Sequence, residues 1–447
     1  MKTTISTIAL AVSASLFAVT PAMAETSITE LEERIDMLER EMIDAQSASQ
    51  RVDRVRFKPS TPSGELVSAD GRSTTQLKGR IHMDITSTDD QFKYDGSKDV
   101  DNGSVVEGYE TVNLRRLRLG VEGKFAQVWE YELQMDFAEN EVDLKDALVA
   151  YRAIPNNRIT FGFQKYAFGL ESTNSSAHNM FLERSALDQF APDRNVGIEW
   201  RYAPGKVNFR AGASILADDF IDGGEVEGAV ANFRITSPVY QSNSQLVHLG
   251  ASALYNHFND DNQESRYRAR PDHKWGERMV NTGKFDSKSE INYGVEAAYQ
   301  YRNLLVMGEY VGSMIDRIDG DSVNLGGFNV QAAYTFTGES WTYRARNGGF
   351  RAVSPDNPIS QGGWGAFEVA ARYSYIDLNS ADADPMKDIK GGEQTTMVVG
   401  LNWYLEHNLK AQFNYVHAEA KYQDVQTAIN ADKFDTSSYQ FRMAYYF

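Results

Sequence analysis

Downstream of residue 75, apolar and polar side chains alternate one by one in stretches of roughly ten residues. In one stretch Trp129, Tyr131, Leu133, Met135 and Phe137 fall on one face, with Glu130, Glu132, Gln134 and Asp136 on the other. Another sets Phe328, Val330, Ala332, Tyr334 and Phe336 opposite Asn329, Gln331 and Thr335. A period of two belongs to a β-strand, whose successive side chains point to opposite faces. The pattern predicts 16 strands, at 76–86, 112–125, 128–139, 144–152, 158–165, 195–202, 207–216 and 228–236, then 246–257, 290–301, 304–314, 328–337, 366–378, 395–405, 409–420 and 438–447. Most are close to the length a tilted strand needs to cross a bilayer, about 9–11 residues.

Composition decides which solvent each face meets. No apolar run beyond residue 24 approaches the length of a membrane helix. Mean hydropathy is −0.47, yet the chain carries 23 Tyr and 23 Phe against only 11 Pro. In a membrane barrel the apolar face meets lipid and the polar face lines a wet lumen, so carboxylates can alternate with aromatics along one strand. The predicted fold is therefore all-β, a 16-stranded antiparallel transmembrane β-barrel over residues 76–447, in the outer membrane of a Gram-negative bacterium. The C-terminus supports closure. Tyr439, Phe441, Met443, Tyr445 and Phe447 alternate to the last residue, an edge that would aggregate unless paired to the first strand.

The N-terminus reads differently. Lys2, an apolar stretch from Ile5 to Val19 and the small-residue site ending at Ala24 form a secretory signal peptide, residues 1–24. Ile28, Leu31, Ile35, Leu38 and Met42 then recur at heptad spacing, predicting a short coiled-coil helix over 25–45. So short a helix is marginal alone, and needs either copies of itself or a neighbouring surface. Residues 46–75 are polar, contain Pro59, Pro62 and Gly64, and read as a linker.

Charge narrows the partners. A net charge of −17 argues against nucleic acid, but leaves the field inside a pore open, because acidic loops at the mouth can dominate the sum. With no cysteine, disulfides and thiolate metal sites are excluded; the seven histidines lack ligand spacing, and no cofactor is implied. With both ends periplasmic, the longest outward loops are 87–111, 166–194 and 258–289, and one inward turn, 338–365, is also long.

Three basic groups fall in or beside these segments. In the second strand Leu117, Leu119 and Val121 take the lipid face, so Arg116 and Arg118 point into the lumen and Arg115 is expected outward, snorkelling near the membrane edge. In the long loop Arg266, Arg268 and Arg270 would share one face if extended, about 6.6 Å apart. That is within the Debye length of about 8 Å, so an anion could pass between them without a deep trap. Asp260, Asp261, Glu264, Asp272 and Glu277 lie close by in sequence and could instead neutralise them. The third group is Arg344, Arg346 and Arg351, in the long periplasmic turn. A hydrolase built on Ser176 and His178 lacks a nucleophile-elbow motif and is the remote alternative.

The chain resembles the phosphate-selective porins of the O/P type. The resemblance rests on the run from Arg115 to Gly123, on Phe161-Gly162-Phe163-Gln164-Lys165 leading to Phe168-Gly169-Leu170-Glu171, and on Ser175-Ser176, Leu182-Glu183-Arg184-Ser185 and the loop arginines. It implies a homotrimer, inward-folded loops and an arginine ladder leading phosphate to a central site. Carried over, Arg266, Arg268 and Arg270 are the ladder, extended by Lys274 and Arg278. Arg115, Arg116, Arg184, Ser175 and Ser176 line the constriction. A family lysine shortly before the Ser-Ser pair is replaced by Ser172, with Lys165 the nearest substitute. The function expected is passive diffusion of small anions, phosphate or polyphosphate favoured; the alternative is a non-selective porin with acidic mouths. Expected partners are outer-membrane lipid and lipopolysaccharide, and barrel-assembly machinery that reads Phe447.

Overall fold

The computed structural model describes residues 34–42, 54–58, 61–96, 103–217, 223–259, 264–422 and 433–447. The signal segment and most of the 25–45 helix lie outside them. Residues 34–42 are helical, with Ile35, Leu38 and Met42 exposed.

The predicted strands are all present. In chain order they are β1 (Thr74–Thr88), β2 (Tyr109–Phe125), β3 (Trp129–Asp136), β4 (Asp143–Tyr151), β5 (Asn157–Lys165), β6 (Arg194–Tyr202), β7 (Asn208–Ala217) and β8 (Val226–Gln241). There follow β9 (Gln245–Phe258), β10 (Phe285–Tyr301), β11 (Leu304–Arg317), β12 (Val323–Thr335), β13 (Ala366–Ser380), β14 (Ile389–Glu406), β15 (Leu409–Lys421) and β16 (Lys433–Tyr446). Each pairs antiparallel with its neighbour, and β16 returns to β1 from Ser438 opposite Thr88 to Tyr446 opposite Arg80. Closure leaves no unpaired sheet edge at lipid depth. Burial is inverted relative to a soluble protein. Val295, Val399 and Ile85 are exposed on the outer face, while Arg234, Glu296, Asn402 and Arg442 are buried on the inner one.

The seam is locked by the terminal residue. Gly79 N–H donates to the Phe447 carbonyl at 2.8 Å, and Phe447 N–H donates back to the Gly79 carbonyl at 3.1 Å. The Phe447 ring lies over Gly79, where a Cβ would collide with it. Gly79→Val should therefore cost about 1–3 kcal/mol by overpacking, read as a lower denaturant midpoint of the refolded barrel. Adding Phe447→Ala should recover part of that loss; no recovery would mean that the ring does not occupy this place.

The stretch expected as a linker is partly sheet. Residues Arg54–Lys58 and Thr61–Val67 are strands, and Glu65, Leu66 and Val67 pair with Gln76, Thr75 and Thr74 of β1. The reason lies at the seam. The β16 side of β1 is occupied only as far as Phe447 opposite Gly79, and residues 65–67 satisfy the open backbone groups beyond it.

Among the described residues three connections fold into the barrel and pack against its inner wall, namely 166–193, 264–284 and the turn 336–365. The buried apolar clusters sit there. One joins Phe168, Leu187 and Phe190 to Tyr267 and Val280, and the other joins Leu170, Met180 and Phe181 to Trp341 and Phe350.

Candidate functional site

The loop after β5 forms a shelf across the lumen. Its short helix Leu170–Thr173 begins after Gly169, whose φ of 63° suits a residue without a Cβ. The N–H groups of Leu170 and Glu171 both donate to the Glu309 carboxylate of β11, the second at 3.0 Å. Further along, Asn402 and Lys410 donate to the carbonyls of Met180 and Asn179 at 2.8 and 2.9 Å, and Asn292 donates to that of Phe190 at 3.0 Å. Polar lumen positions on several strands thus pin the loop, which supplies both backbone donors and backbone acceptors.

The Arg115 expectation is corrected here. The register with β1 shifts between His82, opposite Arg116, and Met83, opposite Leu114, leaving Arg115 as the extra residue of a β-bulge. A bulge re-aims side chains. Arg115 turns inward and forks onto Glu183, at 2.9 and 3.0 Å. Arg116 reaches the same carboxylate at 3.5 Å, and Arg442 reaches it at 2.8 Å while also gripping Asp84 with two bonds of 2.6 Å. Burial pushes the Glu183 carboxyl up, but Arg115, Arg116 and Arg442 outweigh it and hold it well below the usual carboxylate range. Three guanidiniums facing two carboxylates leave this hub with surplus positive charge.

The Ser-Ser pair meets a cation that the sequence reading did not single out. Arg80 of β1 donates from one nitrogen to Ser176 Oγ and from the other to Ser175 Oγ at 3.1 Å. Ser172 is buried, and Lys165 stands 3.8 Å from Asp188. Arg184 closes the loop on itself, donating to the carbonyls of Glu171 and Asn174 at 3.0 and 2.9 Å and pairing with Asp188 at 3.3 Å. The hydrolase geometry is not formed among the described residues. Ser176 accepts from Arg80, and His178 Nδ1 has no hydrogen-bond partner.

The second inward loop carries the predicted ladder. Arg266 and Arg268 are exposed, while the intervening Ser265, Tyr267 and Ala269 are buried, as an extended two-faced strand requires. Tyr267 packs on Phe190 at 5.2 Å between ring centres and donates to Glu290 at 3.1 Å. Arg266 donates to Asn281 at 3.0 Å, and Arg278 donates to the Arg268 carbonyl at 2.8 Å. Among the described residues no carboxylate lies within salt-bridge distance of Arg266, Arg268, Arg270 or Arg278, and two of the nearby acids serve other cations. Glu264 pairs with Lys284 at 2.8 Å and Asp272 with Arg372 at 2.7 Å. Lys274 departs from the row and pairs with Glu139 at 3.0 Å. Burial, with Arg270, Arg268 and Arg266 beside it, brings Arg278 down to about 10.

The acidic face of β3 is neutralised. Glu130 holds Arg152 and Arg158 at 2.5 and 3.0 Å, Glu132 holds Lys78 at 2.6 Å, and Asp136 holds Arg118 at 2.8 Å. Alternation alone could have found Arg80 and Arg442, since both sit on the lumen parity of the first and last strands. Nothing local marks Arg372 as the side chain that ties the first two inward loops together, bonded to Glu171 at 2.8 Å and Asp272 at 2.7 Å.

A closed barrel with an apolar outer face, narrowed from within by its own loops, defines an outer-membrane porin. The chain belongs to the family of phosphate-selective porins O and P, whose model matches residues 76–447. Among curated proteins it is similar to Porin O of Pseudomonas aeruginosa, 26% identical over 85% of this chain and 94% of that one. It is also similar to an uncharacterized protein of Caulobacter vibrioides, 28% identical over 80% and 74%. Among solved structures it resembles an anion-selective porin from Comamonas acidovorans (TM-score 0.50, 10% identity, 84% and 100% covered). It likewise resembles the trimer form of OmpT from Vibrio cholerae (0.50, 12%, 84% and 99%). At such identities these two likenesses concern the fold alone.

Proposed function

We propose that this porin passes small anions down their gradient, with phosphate or polyphosphate favoured, along Arg266, Arg268, Arg270 and Arg278 to the constriction at Arg80, Ser175 and Ser176. The observation that carries this reading is the contrast between paired and unpaired charge. The β3 carboxylates are matched by lumen cations, whereas among the described residues the loop arginines, with Arg266 and Arg268 exposed and Arg270 and Arg278 half-buried, have no acid at salt-bridge distance. Guanidiniums suit phosphate because a planar fork donates two hydrogen bonds and keeps its charge. Several weak stations allow a bound anion to leave, as conduction requires. Arg115, Arg116 and Arg442 act through Glu183 as the charged frame of the constriction.

A specific observation favours the non-selective alternative. Asp89, Asp90, Glu107, Glu110 and Asp435 line one cleft at the outer mouth, where they would attract cations. Reversal potential in a salt gradient separates the readings. The native pore should be anion-selective, and phosphate should block its chloride current. Each ladder charge contributes about 1 kcal/mol in water at contact range, so Arg266/Arg268/Arg270→Ala should reduce anion over cation preference by roughly tenfold or more. Cation preference in the native pore, unchanged in the variant, would sink the ladder. We further infer assembly as a homotrimer, in keeping with the trimer form of the Vibrio cholerae neighbour, and recognition of the terminal Phe447 strand by barrel-assembly machinery.

A further inference from the structure

The turn 336–365 has two halves with different surroundings. In the first, Thr342–Arg344 and Gly349–Arg351 pair as a hairpin. Trp341 and Phe350 join an apolar cluster inside the barrel, and the Tyr343 hydroxyl meets His248 Nδ1 at 2.8 Å. Arg234 holds the tip, donating to the carbonyls of Asn347 and Gly348 at 3.2 and 2.7 Å. The second half, 356–365, runs to the start of β13 and leaves most of its side chains exposed.

This second half is a compact flap fixed to the end of β14. The N–H groups of Gln361 and Gly363 donate to the Pro358 carbonyl at 3.0 and 3.1 Å, and Gly365 N–H donates to that of Asn357 at 2.9 Å. Gly365 takes a φ of 72°, and a Cβ there would collide with the Tyr404 carbonyl, so glycine alone lets the chain turn this close to the strand. Ser360 donates from its N–H and its hydroxyl to the Glu406 carboxylate, at 2.6 and 2.9 Å. Trp403 Nε1 donates to the Trp364 carbonyl at 2.7 Å.

The flap presents apolar side chains and no charge. Trp364 is 80% exposed and Ile359 40%, and no residue from Asn357 to Gly365 is ionisable. Exposed apolar groups of this size, held in place by the backbone, mark a contact with something other than water. The wall beside them says what that is. Trp403 and Phe367 stack on its outer face with ring centres 5.6 Å apart, and Phe336 N–H donates to the Phe367 carbonyl at 2.9 Å. These rings end the lipid-facing surface, and Trp364 continues it past the strands. Here β12, β13 and β14 are 13, 15 and 18 residues long, more than the roughly 9–11 that a crossing needs, so this wall meets the full thickness of the bilayer.

We propose that residues 357–365 are a leaflet anchor, inserting Trp364 and Ile359 into the headgroup region of the phospholipid leaflet at the periplasmic rim. Tryptophan suits that depth, because its ring is apolar and its N–H is polar. An uncharged flap also has no ion to desolvate on entering it. The anchor tethers a turn whose other half packs inside the pore. Lipid holds the turn from outside, while His248 and Arg234 hold it from within. The inference is independent of which ions the pore passes.

The native chain has no cysteine, so a single one can be introduced and labelled. Trp364→Cys and, separately, Ile359→Cys carry an environment-sensitive fluorophore and are reconstituted in phosphatidylethanolamine–phosphatidylglycerol vesicles. Lys206→Cys, at an exposed charged position in a turn at the same end of the barrel, is the aqueous reference. At both flap positions nitroxide-labelled phospholipid should quench the dye several-fold more strongly than at position 206, and aqueous iodide several-fold less. Equal quenching at all three positions overturns the anchor. So does shielding of the flap from both quenchers, which would mean that a second copy of the chain covers it. In bilayers of the same lipids, Trp364→Ser with Ile359→Ser should raise open-channel current noise several-fold. Native noise in that variant would overturn the tether and leave the insertion standing.

Discussion

Arg372→Ala is expected to widen the pore, raising single-channel conductance several-fold and abolishing phosphate block. Arg372 projects from β13 between the two outer inward loops. It bonds Glu171 at 2.8 Å, the Glu183 carbonyl at 3.1 Å and Asp272 at 2.7 Å, and its guanidinium lies 4.6 Å from the centre of the Phe181 ring. Burial pushes the Asp272 carboxyl up to about 6 against the pull of Arg372, so this anchor is held at a desolvation cost. Removing one partner of a buried pair costs about 3–5 kcal/mol, because the other charge is stranded. Here two carboxylates are stranded at once, and each loop can relieve the cost by moving toward water. Conductance and noise in planar bilayers read the release. Native conductance and native block in the variant would mean that Arg372 does not hold the loops. Arg372→Lys keeps the charge without the fork, and should fall between the two.

The second large effect is expected for Arg442→Ala. The side chain is 1% exposed and carries four bonds, two to Asp84, one to Glu183 and one to the Leu182 carbonyl. Its removal should lower the stability of the refolded barrel by about 3 kcal/mol or more, measured by denaturant titration in detergent. Arg442→Met combined with Asp84→Leu removes both charges and should recover most of the loss, since an apolar pair of similar volume can replace a buried ion pair. The hub also changes its field. Two guanidiniums against two carboxylates leave no surplus, so anion preference should fall in the single variant. Stability and selectivity both equal to the native values would remove Arg442 from the frame.

Legibility followed the range of the interactions. All of the barrel strands could be read from alternation, because each states its register in consecutive residues. The loop row at Arg266, Arg268 and Arg270 was readable for the same reason, and its alternation survives in the folded loop. The misreading of Arg115 came from carrying a strict period of two through a bulge, which has no side-chain signature in the pattern. Residues 61–67 were read as linker because a polar, proline-containing strand at the rim answers to backbone demand at the seam, not to a hydrophobic face. Lys274 looked like a further rung, but Glu139, remote in sequence, takes it.

The sequence by itself determined the barrel, its inside-out faces and the closing strand ending at Phe447. Lipid and water impose opposite demands on adjacent residues, and that conflict is written locally. Only the tertiary structure decided which charges are spent and which are free. Arg442 finds Asp84 across 358 positions of chain, and Arg372 finds Asp272 across 100. A guanidinium beside a carboxylate is neutralised, whereas one without it keeps its charge unpaired, and closure of the ring settles which is which.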